Sequence, residues 1–207
     1  MSATSALREL WTGEVAPGEV ELLRANEYAL LGRLLANAPD AAFLRAIGDL
    51  RGDDTPLGRA HSALAEASRH ADPKVLEREY FSLFIGVGRG ELLPYASFYL
   101  SGFLNDRPLA AVRRDMAALG LERVDTLRDP EDHLAILFDV MAGLASRRFD
   151  ETVMSQDVFF ARHIEPWASK FFDDLAIAPS SDFYRHVAAL GGAFIAVETE
   201  AFAIEDN

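Results

Sequence analysis

Hydrophobic residues recur at helical spacing along almost the whole chain. Near the carboxyl end, Phe183, Val187 and Leu190 stand at i, i+4 and i+7, which places them on one face of a helix. We find no runs of alternating β-branched residues bounded by turn pairs, the pattern typical of strands. The pattern therefore predicts an all-α, bundle-like fold of about ten helices. The clearest helical segments cover residues 18–37, 39–48, 56–70, 73–84, 106–119, 129–147, 151–162, 166–175 and 180–202.

Acidic and proline residues mark where some of these helices should begin. The strongest predicted start has Asp129 as the N-cap and Pro130 at the first helical position. Glu131 and Asp132 then fall in the first turn, where the helix dipole favours negative charge. We also expect Pro166 to open a helix. The charged connector 122–128 is the best internal boundary, although we expect residues 1–207 to form a single domain.

The segment 79–100 concentrates aromatic residues around a glycine-rich break. Tyr80, Leu83 and Phe84 occupy one helical stripe, and Pro94 opens a second helical segment. The glycines of the break are Gly86, Gly88 and Gly90, and the aromatic residues after it are Tyr95, Phe98 and Tyr99. Two aromatic helices thus flank a loop, a layout that suits the binding of another molecule. The alternative is ordinary helix core, which is the commoner fate of aromatic residues at helical spacing.

The net charge of the chain favours some classes of binding partner over others. The chain has 207 residues, half of them hydrophobic, and 33 acidic against 20 basic residues give it a formal net charge of −13. This charge disfavours nucleic acid as a partner and favours a basic peptide or a basic protein surface. Solubility alone is the simpler explanation of the same excess of acids.

The absence of cysteine excludes disulfides, thiolate metal sites and cysteine nucleophiles. The first ten residues, MSATSALREL, lack a basic region followed by a long apolar run, and eighteen consecutive apolar residues occur nowhere. From these features we predict a cytoplasmic protein with no stable membrane insertion.

Three patches of the chain together resemble the TorD/DmsD family, cytoplasmic chaperones dedicated to molybdenum-cofactor enzymes, many of which are exported by the twin-arginine route. The resemblance covers about residues 76–172 in family order, whereas the first seventy or so residues match only as generic helices. The first patch consists of Tyr80, Leu83, Phe84, Gly86, Pro94, Tyr95, Ser97, Tyr99 and Leu100. The second consists of Asp129, Pro130, Asp132 and His133, and the third of His163, Pro166, Trp167, Phe171 and Phe172.

The resemblance implies an all-helical protein that binds a leader peptide. A carboxylate at Asp132 would pair with arginines of a twin-arginine leader, and His133 would titrate near physiological pH. The residues that match leader-binding positions of the family are Tyr80, Leu83, Phe84, Pro94, Tyr99, Asp132 and His133. Secondary candidates are Glu131, His163, Pro166 and Trp167. The alternative for the second patch is structural, with Asp132 supporting a helix start and His133 lying on the helix edge.

Other kinds of site find little support in the sequence. His133 and His163 lack a partner histidine three or four residues away, so we expect no metal site. Gly86, Gly88 and Gly90 follow no predicted strand and precede no Gly-Lys-Ser/Thr, so a phosphate loop is disfavoured. Gly-x-Ser-x-Gly is absent as well. We expect no cofactor, and an enzyme on a helical scaffold is the third and weakest functional hypothesis.

The leading hypothesis is a chaperone that binds the leader, the apo form of a molybdoenzyme, or both, aiding cofactor insertion and delaying export. The client would be of the formate dehydrogenase or DMSO/TMAO reductase type. The runner-up is an assembly chaperone for a non-exported, nitrate reductase type enzyme that recognises the enzyme body. We expect a monomer that is able to dimerise by exchanging segments, with connector 122–128 as the hinge.

Overall fold

The computed structural model describes residues 18–123, 128–150 and 152–205. Over these residues the chain forms ten α-helices and no β-strand, which confirms the all-α prediction. The helices are α1 (Glu19–Ala36), α2 (Ala41–Gly48), α3 (Pro56–His70), α4 (Pro73–Tyr80), α5 (Ala96–Ser101), α6 (Arg107–Ala118), α7 (Leu134–Ala145), α8 (Gln156–His163), α9 (Ala168–Ile177) and α10 (Tyr184–Glu205).

The core is built on two helix pairs, α1 with α7 and α9 with α10. Tyr28 of α1 joins them, since its ring packs edge-on against Phe138 of α7 at 5.4 Å and Phe194 of α10 at 4.7 Å between centroids. The Tyr28 hydroxyl donates to the buried carboxylate of Glu198, which also receives two hydrogen bonds of 2.7 Å from Arg24. Burying this ion pair is acceptable because its carboxylate oxygens are hydrogen-bonded.

Local capping sets the start of the early helices. Thr55 accepts a hydrogen bond from the backbone N–H of Gly58 and stands directly before Pro56, the first residue of α3. Asp72 caps α4 in the same way, with a 2.9 Å hydrogen bond from the backbone N–H of Lys74. The predicted starts of both helices are therefore confirmed.

The C-terminal helix α10 is long and apolar enough to cross a membrane when judged by length and composition alone, with a mean hydropathy of 1.6 over its most apolar window. The fold uses it differently. Val187, Leu190 and Phe194 are buried against the rest of the bundle, and α10 packs on α9 and α3. These contacts are those of a core helix.

The predicted helix start at Asp129 and Pro130 is wrong. Residues 130–132 form a turn, α7 begins only at Leu134, and the ring of His133 serves as its N-cap. The physical reason is a tertiary contact: Tyr95 and His133 form an isolated antiparallel bridge, which holds this part of the chain extended. Asp129 accepts the hydroxyl of Tyr95 at 2.8 Å instead of capping a helix.

Two later boundaries also differ from the prediction. Helix α8 begins at Gln156 rather than near residue 151, and residue 151 itself lies outside the described part of the chain. Pro166 lies in the turn before α9, which begins at Ala168, so Pro166 does not open that helix. Of the connector 122–128, the predicted hinge, residues 124–127 lie outside the described residues.

Candidate functional site

The aromatic segment begins with a widened helical turn. Helix α4 continues through a π-helical turn, Phe81–Ile85, and Gly86 ends it with φ +63°. A Cβ at Gly86 would lie 2.0 Å from the carbonyl oxygen of Arg89, so only glycine fits this position. The chain then folds back, and the backbone N–H of Leu92 donates to the carbonyl of Leu83 at 2.8 Å. The glycine loop therefore reverses the direction of the chain.

Glu79 attaches this segment to the C-terminal helix. Its buried carboxylate accepts the backbone N–H groups of Asp182, Phe183 and Tyr184 at 2.8, 3.2 and 2.8 Å. These groups belong to the amino end of α10, where unpaired N–H groups and the helix dipole favour a negative charge. Glu91, after the glycine loop, accepts the backbone N–H of Ser180 at 3.1 Å.

The first and second sequence patches pair with each other. The backbone N–H of Ala96 donates to the carbonyl of Asp132 at 3.0 Å, and that of Leu134 donates to the carbonyl of Pro94 at 2.9 Å. Oδ2 of Asp132 accepts the backbone N–H of Ser97, in the first turn of α5, at 2.8 Å. Two motifs that are 35 residues apart thus form one structural unit, in which Asp132 stabilises the start of α5.

Asp132 is completely buried. Its Oδ1 and the nearby hydroxyl of Ser97 have no hydrogen-bond partner among the described atoms. In this conformation the carboxylate cannot reach a peptide arginine, so the direct contact implied by the resemblance requires the site to open. A helix-supporting role, the structural alternative for Asp132, applies to α5 rather than to the helix that follows it.

His133 is also structural in this conformation. Its Nδ1 accepts the backbone N–H of Ala135 at 3.1 Å, and its ring packs edge-on against Tyr95 at 5.1 Å. Burial lowers the pKa of His133 to about 4, although the negative charges of Asp129 and Asp132 oppose that shift. The expectation that His133 titrates near physiological pH is therefore wrong, because a buried imidazole resists charging.

Three half-buried tyrosines, Tyr80, Tyr95 and Tyr99, form what we call the tyrosine surface. Their hydroxyls donate to the carbonyl of Leu35 at 3.1 Å, to Asp129 at 2.8 Å and to Asp174 at 3.1 Å, respectively. Burial raises the pKa of Tyr80 to about 12 and those of Tyr95 and Tyr99 further. All three are neutral donors at physiological pH, and Asp129 and Asp174 bring partly exposed carboxylates to the tyrosine surface.

The other predicted binding residues differ in accessibility. Leu83 and Pro94 are buried, whereas Phe84 keeps some exposed surface while packing against Tyr80 at 5.0 Å and Tyr184 at 5.4 Å between centroids. Next to them the chain exposes large apolar side chains. Phe81 is 43% exposed, Ile85 54% and Val87 97%. An apolar surface of this kind is available to a peptide.

Glu131 is buried between two arginines. Its carboxylate lies 2.9 Å from Arg113 and 3.3 Å from Arg123. Burial by itself raises the pKa of Glu131, but hydrogen bonds from the backbone and from Arg113, with the charges of Arg113 and Arg123, outweigh it, so the pKa is lowered. It borders a cavity of about 420 Å³ lined largely by apolar residues of α1 and α7. Because its charge is already paired, Glu131 holds the turn before α7 rather than offering a free carboxylate.

The third patch supports the tyrosine surface from behind. Trp167 is buried and stacks on Tyr99 at 5.2 Å, and its indole N–H donates to the carbonyl of His163 at 2.7 Å. His163 is buried with Nε2 2.7 Å from Asp115 of α6, and burial lowers its pKa. Pro166 is exposed in the turn between them. The first and third patches are thereby brought together.

Sequence reasoning missed the polar residues that fix this arrangement. Glu79 bonds to residues 103 to 105 positions further along the chain. The partner of Asp115 is 48 residues away and that of Asp174 is 75 residues away. No local pattern signals such partners, although Asp129 and Tyr95 were within the recognised patches. In the described ranges, no three histidine, aspartate or glutamate side chains gather into a metal site.

Comparison with known proteins shows which family this chain belongs to. The family model described as nitrate reductase delta subunit matches residues 50–173, more than half of the chain. Chaperone protein TorD of Vibrio cholerae strain O395 is 30% identical over 157 residues, 69% of this chain and 71% of the relative. Chaperone protein TorD of Vibrio parahaemolyticus is 27% identical over 169 residues, 76% of this chain and 79% of the relative.

A solved structure shares the fold. It comes from Archaeoglobus fulgidus and is described as a redox enzyme maturation protein. The TM-score is 0.55, with 17% identity over 90% of this chain and 98% of the other. At this identity the likeness supports the fold alone.

Proposed function

We propose that this chain is a chaperone for the maturation of a molybdoenzyme. The reason is that it belongs to the nitrate reductase delta subunit family, as the TorD chaperones do. It acts by binding and catalyses no reaction. The client is the apo form of an enzyme with a twin-arginine leader, of the formate dehydrogenase or DMSO/TMAO reductase type, and the chaperone works in the cytoplasm. Binding keeps the apoenzyme competent for cofactor insertion and delays its export.

The observation that carries this proposal is the tyrosine surface with its acidic edge. A leader combines two arginines with an apolar segment. The exposed Phe81 and Ile85 offer apolar area, and a partly exposed carboxylate such as that of Asp129 can accept a guanidinium. Asp129 is already oriented by the Tyr95 hydroxyl, so little ordering is needed on binding.

The buried motif residues have a positioning role in this proposal. Asp132 and His133 connect the start of α5 to the start of α7, and Leu83 and Pro94 are buried in the same segment of the chain as the tyrosines. Trp167 supports Tyr99 from the opposite side. The remaining candidates, Glu131, His163 and Pro166, act further from the peptide.

The second candidate function is assembly of a non-exported molybdoenzyme through its body. The observation that favours it is the description of the matching family model as a nitrate reductase delta subunit. The neighbouring reading frame distinguishes the two, because only the first function requires a molybdoenzyme with an Arg-Arg leader.

Calorimetric titration with a synthetic twin-arginine leader tests the first function. The leader should come from a molybdoenzyme encoded beside this chain, and the control is the same peptide with both arginines changed to alanine. We expect saturable binding that weakens with the alanine peptide. Binding to neither peptide, combined with co-purification of the leaderless apoenzyme, would replace the first function by the second.

A further inference from the structure

The outward face of α6 carries two arginines in an otherwise acidic chain. Arg107 and Arg114 are seven residues apart, so they share one face and lie roughly 10 Å apart along the helix axis. Ala110 and Ala111 lie on that face between them, while Leu109 on the opposite side is buried. The small alanine side chains leave a shallow floor between two long cationic side chains.

This face forms one wall of a cavity of about 430 Å³. Leu100 of α5 contributes a second wall, and Arg162 and His163 at the end of α8 contribute the third. Three arginines therefore surround a cavity whose other lining residues include alanine, leucine and proline.

The local charge is positive although the whole chain has a net charge of −13. Asp115 lies 3.2 Å from Arg162 and 2.7 Å from His163, so its carboxylate is already shared between two side chains of α8. Among the described residues, neither Arg107 nor Arg114 makes a direct salt bridge, although the charge of Arg107 helps to lower the pKa of the neighbouring Asp106, after hydrogen bonds from Ser101 and the backbone. Their guanidinium groups are exposed and available to a partner.

Large apolar side chains are exposed at the end of α5 and in the turn that leads into α6. The turn that joins α5 to α6 exposes Phe103 by 72% and Leu104 by 44%, and Leu100 is 44% exposed. A surface that carries both arginines and an exposed aromatic residue has a composition typical of the centre of a protein interface. A small anion would use the arginines and leave Phe103 in water, whereas a protein segment would cover both.

We propose that this arginine surface, defined as Leu100, Phe103, Arg107, Arg114 and Arg162, docks an acidic and apolar segment of the client enzyme's body. The proposal rests on the proposed function and adds a second contact to it. The rest of the acidic chain repels such a segment, so charge complementarity directs it to this face. The same arginines repel a twin-arginine leader, which keeps the two contacts separate.

The test measures two affinities on the same variants. The test variant, Arg107→Glu with Arg114→Glu, reverses the charge at two exposed positions of α6. The control variant, Arg45→Glu with Arg51→Glu, makes the same change in net charge at one exposed position of α2 and another just after α2. The probes are the leaderless apoenzyme of the neighbouring molybdoenzyme and the synthetic leader. We expect the α6 pair to weaken apoenzyme binding roughly 10- to 100-fold and to reduce its salt dependence. Leader binding should change no more than it does in the control with Arg45→Glu and Arg51→Glu.

Three results would overturn the proposal. The first is equal loss of apoenzyme binding in both double variants, which would indicate general electrostatics. The second is no binding of the leaderless apoenzyme to the parent chain. The third is saturable thermal stabilisation by inorganic phosphate or pyrophosphate that only the α6 pair abolishes, which would make the cavity a small-anion site. Loss of leader binding to the parent chain would instead contradict the proposed function.

Discussion

Removing the carboxylate of Glu79 should destabilise the whole protein, although Glu79 belongs to a short helix. The side chain accepts three backbone N–H groups at the start of α10, and two of the donors, those of Phe183 and Tyr184, belong to buried residues. In Glu79→Ala the N–H groups of these two buried residues lose their partner. Each unsatisfied buried group costs about 1–3 kcal/mol, and loss of the favourable dipole interaction adds up to about 1 kcal/mol.

The expected loss for Glu79→Ala is therefore roughly 3–5 kcal/mol. At about 2–4 °C per kcal/mol for a chain of this size, the melting temperature should fall by roughly 6–20 °C. Glu79→Gln keeps an acceptor oxygen for two of the bonds, so it should lose only about 1–2 kcal/mol. Glu77→Ala, at an exposed position on the same helix, is the matched control.

Thermal unfolding followed by far-ultraviolet circular dichroism measures these differences. The order of melting temperatures should be Glu77→Ala, then Glu79→Gln, then Glu79→Ala, from highest to lowest. If Glu79→Ala melted within about 2 °C of Glu77→Ala, a difference below about 1 kcal/mol, the capping argument would be refuted.

Two further predictions concern acid stability and packing. Folding lowers the pKa of His133 from about 6.5 to about 4, so between pH 6.5 and pH 4 the unfolded chain binds a proton that the folded chain does not. The free energy of unfolding should therefore fall as the pH decreases from 6.5 to 4. His133→Asn keeps an N-cap acceptor but cannot bind the proton, so it should reduce the pH-dependent change in unfolding free energy by up to about 3 kcal/mol. Urea titrations from pH 4 to 7 measure this change, and the same profile for the variant and the parent chain would contradict the prediction. A Cβ at Gly191 would lie 2.1 Å from the buried ring of Phe172, whereas Gly192 has 4.0 Å of clearance. Thermal melts should show Gly191→Ala destabilised by about 1–3 kcal/mol and Gly192→Ala stabilised by about 0.5–1 kcal/mol; equal effects would disprove the steric explanation.

Local signals in the sequence were sufficient where the fold itself is local. The starts of α3 and α4 follow from a capping residue followed by proline, and each cap is made within a few residues. The helical class follows from hydrophobic periodicity, which survives in almost every segment. Neither conclusion needs knowledge of distant contacts.

The same signals failed where a distant segment competes with the local preference. Asp129 and Pro130 have the composition of a helix start, yet the bridge between Tyr95 and His133 keeps the chain extended until Leu134. Asp132 was expected on a first helical turn, but it caps α5 from 35 residues away. The sequence identified these residues as important, while their partners depended on the tertiary fold.

The central claim is that the carboxylate of Asp129 binds the arginines of the leader. Removing that negative charge tests the claim most directly. Asp129→Asn removes the charge but leaves an oxygen that accepts the Tyr95 hydroxyl, so the tyrosine surface should keep its shape. Calorimetry should show that the arginine leader binds Asp129→Asn at least roughly tenfold more weakly than it binds the parent chain. The alanine leader should bind the variant and the parent chain equally. Glu77→Gln is the control for a lost surface charge. Equal affinity of the arginine leader for the parent chain and Asp129→Asn would contradict the account.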